Sequence, residues 1–404
     1  MIEPPEAVPR SAAEVSIPGV WATSDDRRRA RGWGLLAAVL LGAVCLFGAV
    51  LEPARLLAGY LIAFVVVWCL ALGCLGLLML GHIAQGAWTV ALRRTFEAGA
   101  RTIWAVGVLF LPILLGLEIL YPWARPAGEP GAWTHARDVY MSRPFFAARA
   151  VIYFVIWALL ASRLSRMTAR QETAPDPALP HRMRRTSAVG ILLYAITVTM
   201  AAVDWMMSLA PRWWSTIYGL YVMAGQACSA MALGTLVGIL LHRRRGRALL
   251  PMARFHDFGR MLLAFVMVWA YFAFSQYVIL WSANLPEEVT FFVRRATGGF
   301  YWLSFVLVLL HFAVPFLALI GRDLKSDLRR LGMVCALLLV MGIVDVFWLV
   351  APAFPGAGME VRWLDLAALG AVLGLWTFLF VRELGKHPLL PLGDPELREA
   401  LSNG

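Results

Sequence analysis

Ten long apolar runs dominate this 404-residue chain and limit its fold more than any motif does. They fall at about 33–52, 57–84, 102–121, 145–162, 188–208, 216–241, 258–282, 300–320, 331–352 and 362–382. A helix crossing the hydrocarbon of a bilayer needs ~20 apolar residues at ~1.5 Å rise each. Only helices and closed barrels satisfy every backbone group there, and runs of this length suit the helix. Hydrophobic residues make up 60% of the chain and charged residues 15%, a balance too apolar for a soluble core. A soluble enzyme, a nucleic-acid-binding domain and a disordered chain are excluded. The expected fold is an all-α integral membrane protein of about ten transmembrane helices over residues 33–382. Tails 1–32 and 383–404 flank it. The first run continues for a full span without a small-residue cleavage site, so it reads as a membrane helix rather than a signal peptide.

Net charge is +11, and in a membrane protein its distribution reports topology. Of the 36 lysines and arginines, 27 fall in the N-tail, alternate connections and C-tail, and nine in the other set. The positive-inside rule then places both termini in the cytoplasm and loops 122–144 and 283–299 in the periplasm. The expected location is a bacterial inner membrane. Trp33, Trp104, Trp123, Trp205, Trp213, Trp214, Trp281, Trp302 and Trp363 lie at or near run ends and read as interfacial belt residues. Gly234/Gly238 and Gly370/Gly374 permit close helix approach. Cys45, Cys69, Cys74, Cys228 and Cys335 lie inside apolar runs without a C-x-x-C pair, which favours buried free thiols over a metal site.

No phosphate-binding loop, dinucleotide fingerprint or C-x-x-C-H haem motif occurs. Only His82 and His311 lie within spans, at unlike depths, which argues against a bis-histidine haem. Ionisable residues inside spans carry more information. A carboxylate at the bilayer centre costs at least ~2.5–3.5 kcal/mol, so it needs a partner, a cavity or a function. Asp204, Asp345, Glu118 and Asp365 fall in the outer half, His311 near mid-depth and His82 toward the inner end. These six residues are the expected proton relay, with Ser275, Gln276 and Tyr277 as polar lining. Arg137, Arg143, Arg294 and Arg295 run against the charge bias and are candidate docking residues for an outer partner.

Two stretches carry a family resemblance: Asp204–Gln226 (DWMMSLAPRWWSTIYGLYVMAGQ) and Phe255–Glu288 (FHDFGRMLLAFVMVWAYFAFSQYVILWSANLPEE). There the chain resembles the second NrfD-like, polysulfide-reductase-type membrane subunit (ActF) of bacterial alternative complex III, a quinol:cytochrome c oxidoreductase. The likeness runs from the first span through the tenth. It implies two NrfD-like four-helix bundles plus two extra helices, and a scaffold and proton-conducting role. The implied partners are a paralogous NrfD-like membrane subunit, periplasmic iron–sulfur and multihaem cytochrome subunits, lipids and, as a further candidate, a terminal oxidase. It implies no cofactor in this chain, with haem and iron–sulfur clusters on partner subunits and the occupied quinol site on the larger paralogue. Two other readings remain open from the residues alone. One is a secondary transporter, for which Pro112 and Pro315 would interrupt helices but no matching repeat is seen. The other is a purely structural membrane anchor.

Overall fold

The computed structural model describes residues 24–125, 139–210, 213–243, 250–354 and 361–391, together with Asp394 and Leu397. The described residues are helical, without strands. Ten helical segments are long and apolar enough to cross a membrane, so the protein has the build of an all-α, multi-pass membrane protein. We number them as spans one to ten: Arg27–Leu51, Pro53–Ala84, Trp88–Leu115, Arg143–Thr173, Ala178–Leu209, Tyr218–His242, Met252–Ala283, Gly299–Ile320, Leu328–Ala353 and Trp363–Leu384. The start of span one and the end of span ten meet, because Arg27 donates to the Gly385 carbonyl at 2.8 Å. We call this the terminal face and the opposite one the distal face.

Helix packing sorts the spans into two four-helix bundles. Spans two to five form the first and spans six to nine the second, while spans one and ten pack on each other and on span two. Span two shows why. It is apolar all round, with mean hydropathy 2.8, and 94% of its central stretch is buried; the same figure for span one is 11%. A helix apolar on every side has no preferred exposed face and belongs in the middle. Span two accordingly touches spans one, three, five, six, nine and ten, and joins the bundles. Spans one and ten cross closely because Gly34 meets Gly374: a Cβ on Gly374 would lie 2.9 Å from the Gly34 carbonyl oxygen.

Two spans are irregular for identifiable reasons. Span three breaks into Ala87–Arg101, Ile103–Leu109 and Leu111–Leu115, and continues as Leu117–Leu120. Pro112 cannot donate a backbone hydrogen bond there, Ile113 bonds the Phe110 carbonyl, and the Leu109 carbonyl accepts from Tyr60 at 2.7 Å. Span eight opens into a π-turn over Leu307–Ala313. Pro315 follows four residues after His311, so its ring would collide with the His311 carbonyl of a regular α-helix. The wider π-turn relieves that conflict.

Two sequence expectations need correction. Residues 85–101 are not a loop of solvated charge, since span three begins about fourteen residues earlier than expected as helix Ala87–Arg101. Its Arg93, Arg94 and Glu97 are buried. Arg94 bonds Glu97 at 2.6 Å and also Glu172, and Arg93 bonds Asp394. Trp205 and Trp213 are core residues with 0% and 4% exposure, not belt residues, whereas Trp33, Trp104, Trp214, Trp281, Trp302 and Trp363 are exposed as expected. Trp205 is the hub of the first bundle, its ring 4.6 Å from that of Phe110, 5.2 Å from Trp68 and 5.6 Å from Phe64.

Candidate functional site

Both bundles end on the same signature. Span five carries Val203-Asp204 and, seven residues after Val203, Ala210-Pro211; span nine carries Val344-Asp345 and then Ala351-Pro352 at identical spacing. In each case the α-helix passes into a 3₁₀ turn, Met207–Leu209 in one and Ala351–Ala353 in the other. Both aspartates lie on the fourth helix of their bundle toward the distal face, the 3₁₀ turn beginning three residues after Asp204 and six after Asp345.

Their surroundings differ. Asp204 is fully buried and meets the Arg149 guanidinium in a two-pronged pair, Nε to Oδ2 and Nη2 to Oδ1, both at 2.9 Å. Tyr153 donates to Oδ2 at 2.9 Å. The remaining Arg149 prong donates to the Tyr140 carbonyl at 2.5 Å, and the guanidinium lies 3.8 Å from the Tyr140 ring centroid. Charge, geometry and donors are matched, which is what a buried ion pair needs to offset the loss of solvent. Nothing in the residue pattern announced Arg149, which sits a whole helix away in sequence.

Asp345 is also buried, but its donors are neutral. Tyr221 donates to Oδ1 at 2.6 Å and the Trp269 indole to Oδ2 at 3.1 Å. No cation pairs with it among the described residues. A cavity of about 180 Å³ opens at its side, between spans two, six, nine and ten, with Cys69, Ser229, Gly342 and Thr377 on its wall. Its wall is mainly apolar, with the Asp345 carboxyl and the Ser229 and Thr377 hydroxyls as its polar groups. Beyond Asp345, the Trp269 ring stacks on His311 at 4.0 Å between centroids. His311 is buried in the π-turn, and neither ring nitrogen has a partner among the described residues. Asp345 and His311 thus bracket one indole, which sequence alone could not establish.

Placement separates the other expected relay residues. Asp204 shares no hydrogen-bond partner with Asp345. Asp365 caps the start of span ten, accepting from the Arg362 backbone at 3.0 Å and pairing with Arg55, so it ties span ten to span two. Glu118 pairs with Arg143 at 2.5 Å, both side chains about half exposed. His82 is buried near the terminal face, in the other bundle from His311, with Nε2 lacking a partner. Of the proposed lining, Gln276 is buried and bonds Ser215. Ser275 is half-buried, while Tyr277 is exposed on the outer surface against Phe292 and lines no pocket near Asp345. Arg295 is not an exposed docking group: it is buried and donates to the Trp348, Leu349 and Phe291 carbonyls at 2.7–3.0 Å. It thereby caps span nine, and burial pulls its guanidinium down to about 9. Arg294 is exposed, and Arg137 lies outside the described residues.

No family model matches the chain, and no curated protein matches it. The site must therefore be read from its own chemistry. A buried carboxyl group without a counter-ion, at the side of a cavity, can change its protonation state without breaking an ion pair. Asp204, locked to a guanidinium, is equipped to hold two helices together.

Proposed function

We propose that this protein is a cofactor-free membrane subunit of a respiratory quinol:cytochrome c oxidoreductase of the alternative complex III type, with the second bundle contributing a proton path. The observation that carries the proton-handling part is Asp345, buried against neutral donors only, with His311 across Trp269. Proton transfer along side chains requires groups that change protonation state without a fixed opposite charge. The respiratory assignment rests on the resemblance of Asp204–Gln226 and Phe255–Glu288 to the ActF subunits, and two four-helix bundles with two additional helices agree with it. In this reading haem, iron–sulfur clusters and the quinol site belong to partners, among them a paralogous membrane subunit. In the same reading the membrane is a bacterial inner membrane and the terminal face is cytoplasmic, an orientation that the arginine bias supports. Purification in mild detergent, followed by optical spectra and subunit identification, tests the assignment. Haem and iron–sulfur absorbance should co-elute with this chain. Elution as a monodisperse single protein would contradict the respiratory role.

A further inference from the structure

On the terminal face, spans three, four and ten leave a cleft of about 640 Å³. Its lining comes from residues 100–104 of span three, 158–169 of span four and 383–387 at the end of span ten. Arg101, Arg166 and Lys386 line it, with Glu383 as the acid. Glu383 is already taken by Lys386 at 2.5 Å. Arg101 has only a long ion pair with Glu97, at 3.9 Å. Arg166 donates to the Ser162 carbonyl of its own helix at 3.2 Å and has no carboxylate partner among the described residues. The lining therefore holds positive charge in excess of its acids.

A second observation points to a ligand. Ser165 lines the same cleft, is 6% exposed, and its hydroxyl has no hydrogen-bond partner among the described residues. A buried hydroxyl left unmatched is costly. One turn further on, Thr168 bonds the Leu164 carbonyl at 3.1 Å, the usual solution for a helical hydroxyl. Ser165 does not use it. His387, at the rim, is held down to about 4 by burial first and then by the Arg101 and Arg94 charges. An anion in the cleft would offset that field.

The apolar half of the cleft selects the source of the anion. Its floor is Ile103, Ala158 and Ala161, and Trp104 stands exposed at its edge. The same helix faces continue one and two turns deeper as exposed Val108 and Leu111 on span three and Val155 and Val151 on span four. We propose that the cleft binds the phosphate headgroup of an anionic phospholipid, with its acyl chains along the furrow between spans three and four. The guanidinium groups of Arg101 and Arg166 and the ammonium of Lys386 meet the phosphate, and the Ser165 hydroxyl donates to one of its oxygens. Basic pockets between helices at a membrane surface bind such headgroups by this combination of charge and hydrogen bonding.

The test is native mass spectrometry of the detergent-purified protein with phosphatidylglycerol or phosphatidylethanolamine added at equal concentration. One phosphatidylglycerol should be retained preferentially. Arg166→Gln with Lys386→Gln should weaken its retention about tenfold while leaving phosphatidylethanolamine unchanged, and Arg166→Gln alone, at an exposed side chain without a carboxylate partner, should weaken it several-fold with the thermal unfolding of the lipid-free protein unchanged. Ser165→Ala should weaken it several-fold. Equal retention by the double variant, or equal binding of the two lipids, would overturn the proposal. Displacement by millimolar inorganic phosphate would also overturn it, by assigning the cleft to a free anion. None of these outcomes depends on the respiratory assignment.

Discussion

In the first bundle Asp204 meets a guanidinium; in the second, Asp345, also on the fourth helix toward the distal face, meets a phenol and an indole. The sequences around them, VDWMMSLAP and VDVFWLVAP, give no sign of this difference. What separates them is supplied by other helices. Arg149 comes from span four, while in the second bundle the nearest comparable arginine, Arg295, spends its donors on the backbone carbonyls of Trp348 and Leu349. One bundle uses its arginine to neutralise the carboxylate. The other uses it to finish the helix, and leaves the carboxylate to neutral groups. A buried aspartate near the end of a bundle's fourth helix thus sits in an ion pair in one bundle and among neutral donors in the other, and the partners decide which.

Substitutions that remove one partner at a time break this contrast in a definite order. Arg149→Met should be the most damaging, costing about 3–5 kcal/mol by leaving a buried carboxylate without its counter-ion. Thermal unfolding in detergent reads it, and Arg149→Met with Asp204→Leu should recover most of the loss, because an apolar pair of similar bulk needs no solvation. Asp204→Asn alone should cost about 1.5–3 kcal/mol, since the amide oxygen still accepts but no longer carries charge. Stability equal to the parent in that variant would mean that the ion pair is not what holds spans four and five.

Smaller effects are expected in the second bundle. Tyr221→Phe removes one hydrogen bond to Asp345 and should cost about 1 kcal/mol. Asp345→Asn should stay within about 1 kcal/mol of the parent, because the amide oxygen can accept from Trp269 while the amide NH2 donates to the Tyr221 hydroxyl, which turns to accept. His311→Phe keeps a flat ring against Trp269 and should change stability least. If Asp345→Asn proved as destabilising as Arg149→Met, the two aspartates would be structural alike and the contrast would fail.

Much of this architecture could be read without coordinates, since hydropathy is a local property and ten apolar runs are visible one at a time. Pairing is not local. Arg149 and Asp204 are 55 residues apart, and Arg93 and Asp394 are 301 apart, so the sequence shows charges without showing what neutralises them. That is why Arg93, Arg94 and Glu97 looked like a solvated connection and proved to be a buried network. Trp205 misled for a related reason: position near a run end suggests an interface, but its neighbours Phe64, Trp68 and Phe110 come from two other helices. The candidate site was half legible. Asp345 and His311 stood out as ionisable residues inside spans, whereas Trp269, which links them, is one of 17 tryptophans and carries no local mark.

The division of labour between the two aspartates is tested most directly by proton movement per electron in proteoliposomes holding the assembled complex. The variants to compare are Asp345→Asn and the charge-neutral pair Arg149→Gln with Asp204→Asn. Asp345→Asn should leave assembly intact and lower the proton yield about tenfold or more, while the neutral pair, once assembled, should move protons like the parent. A parental proton yield from Asp345→Asn, with the loss appearing in the Arg149/Asp204 variant instead, would contradict the account.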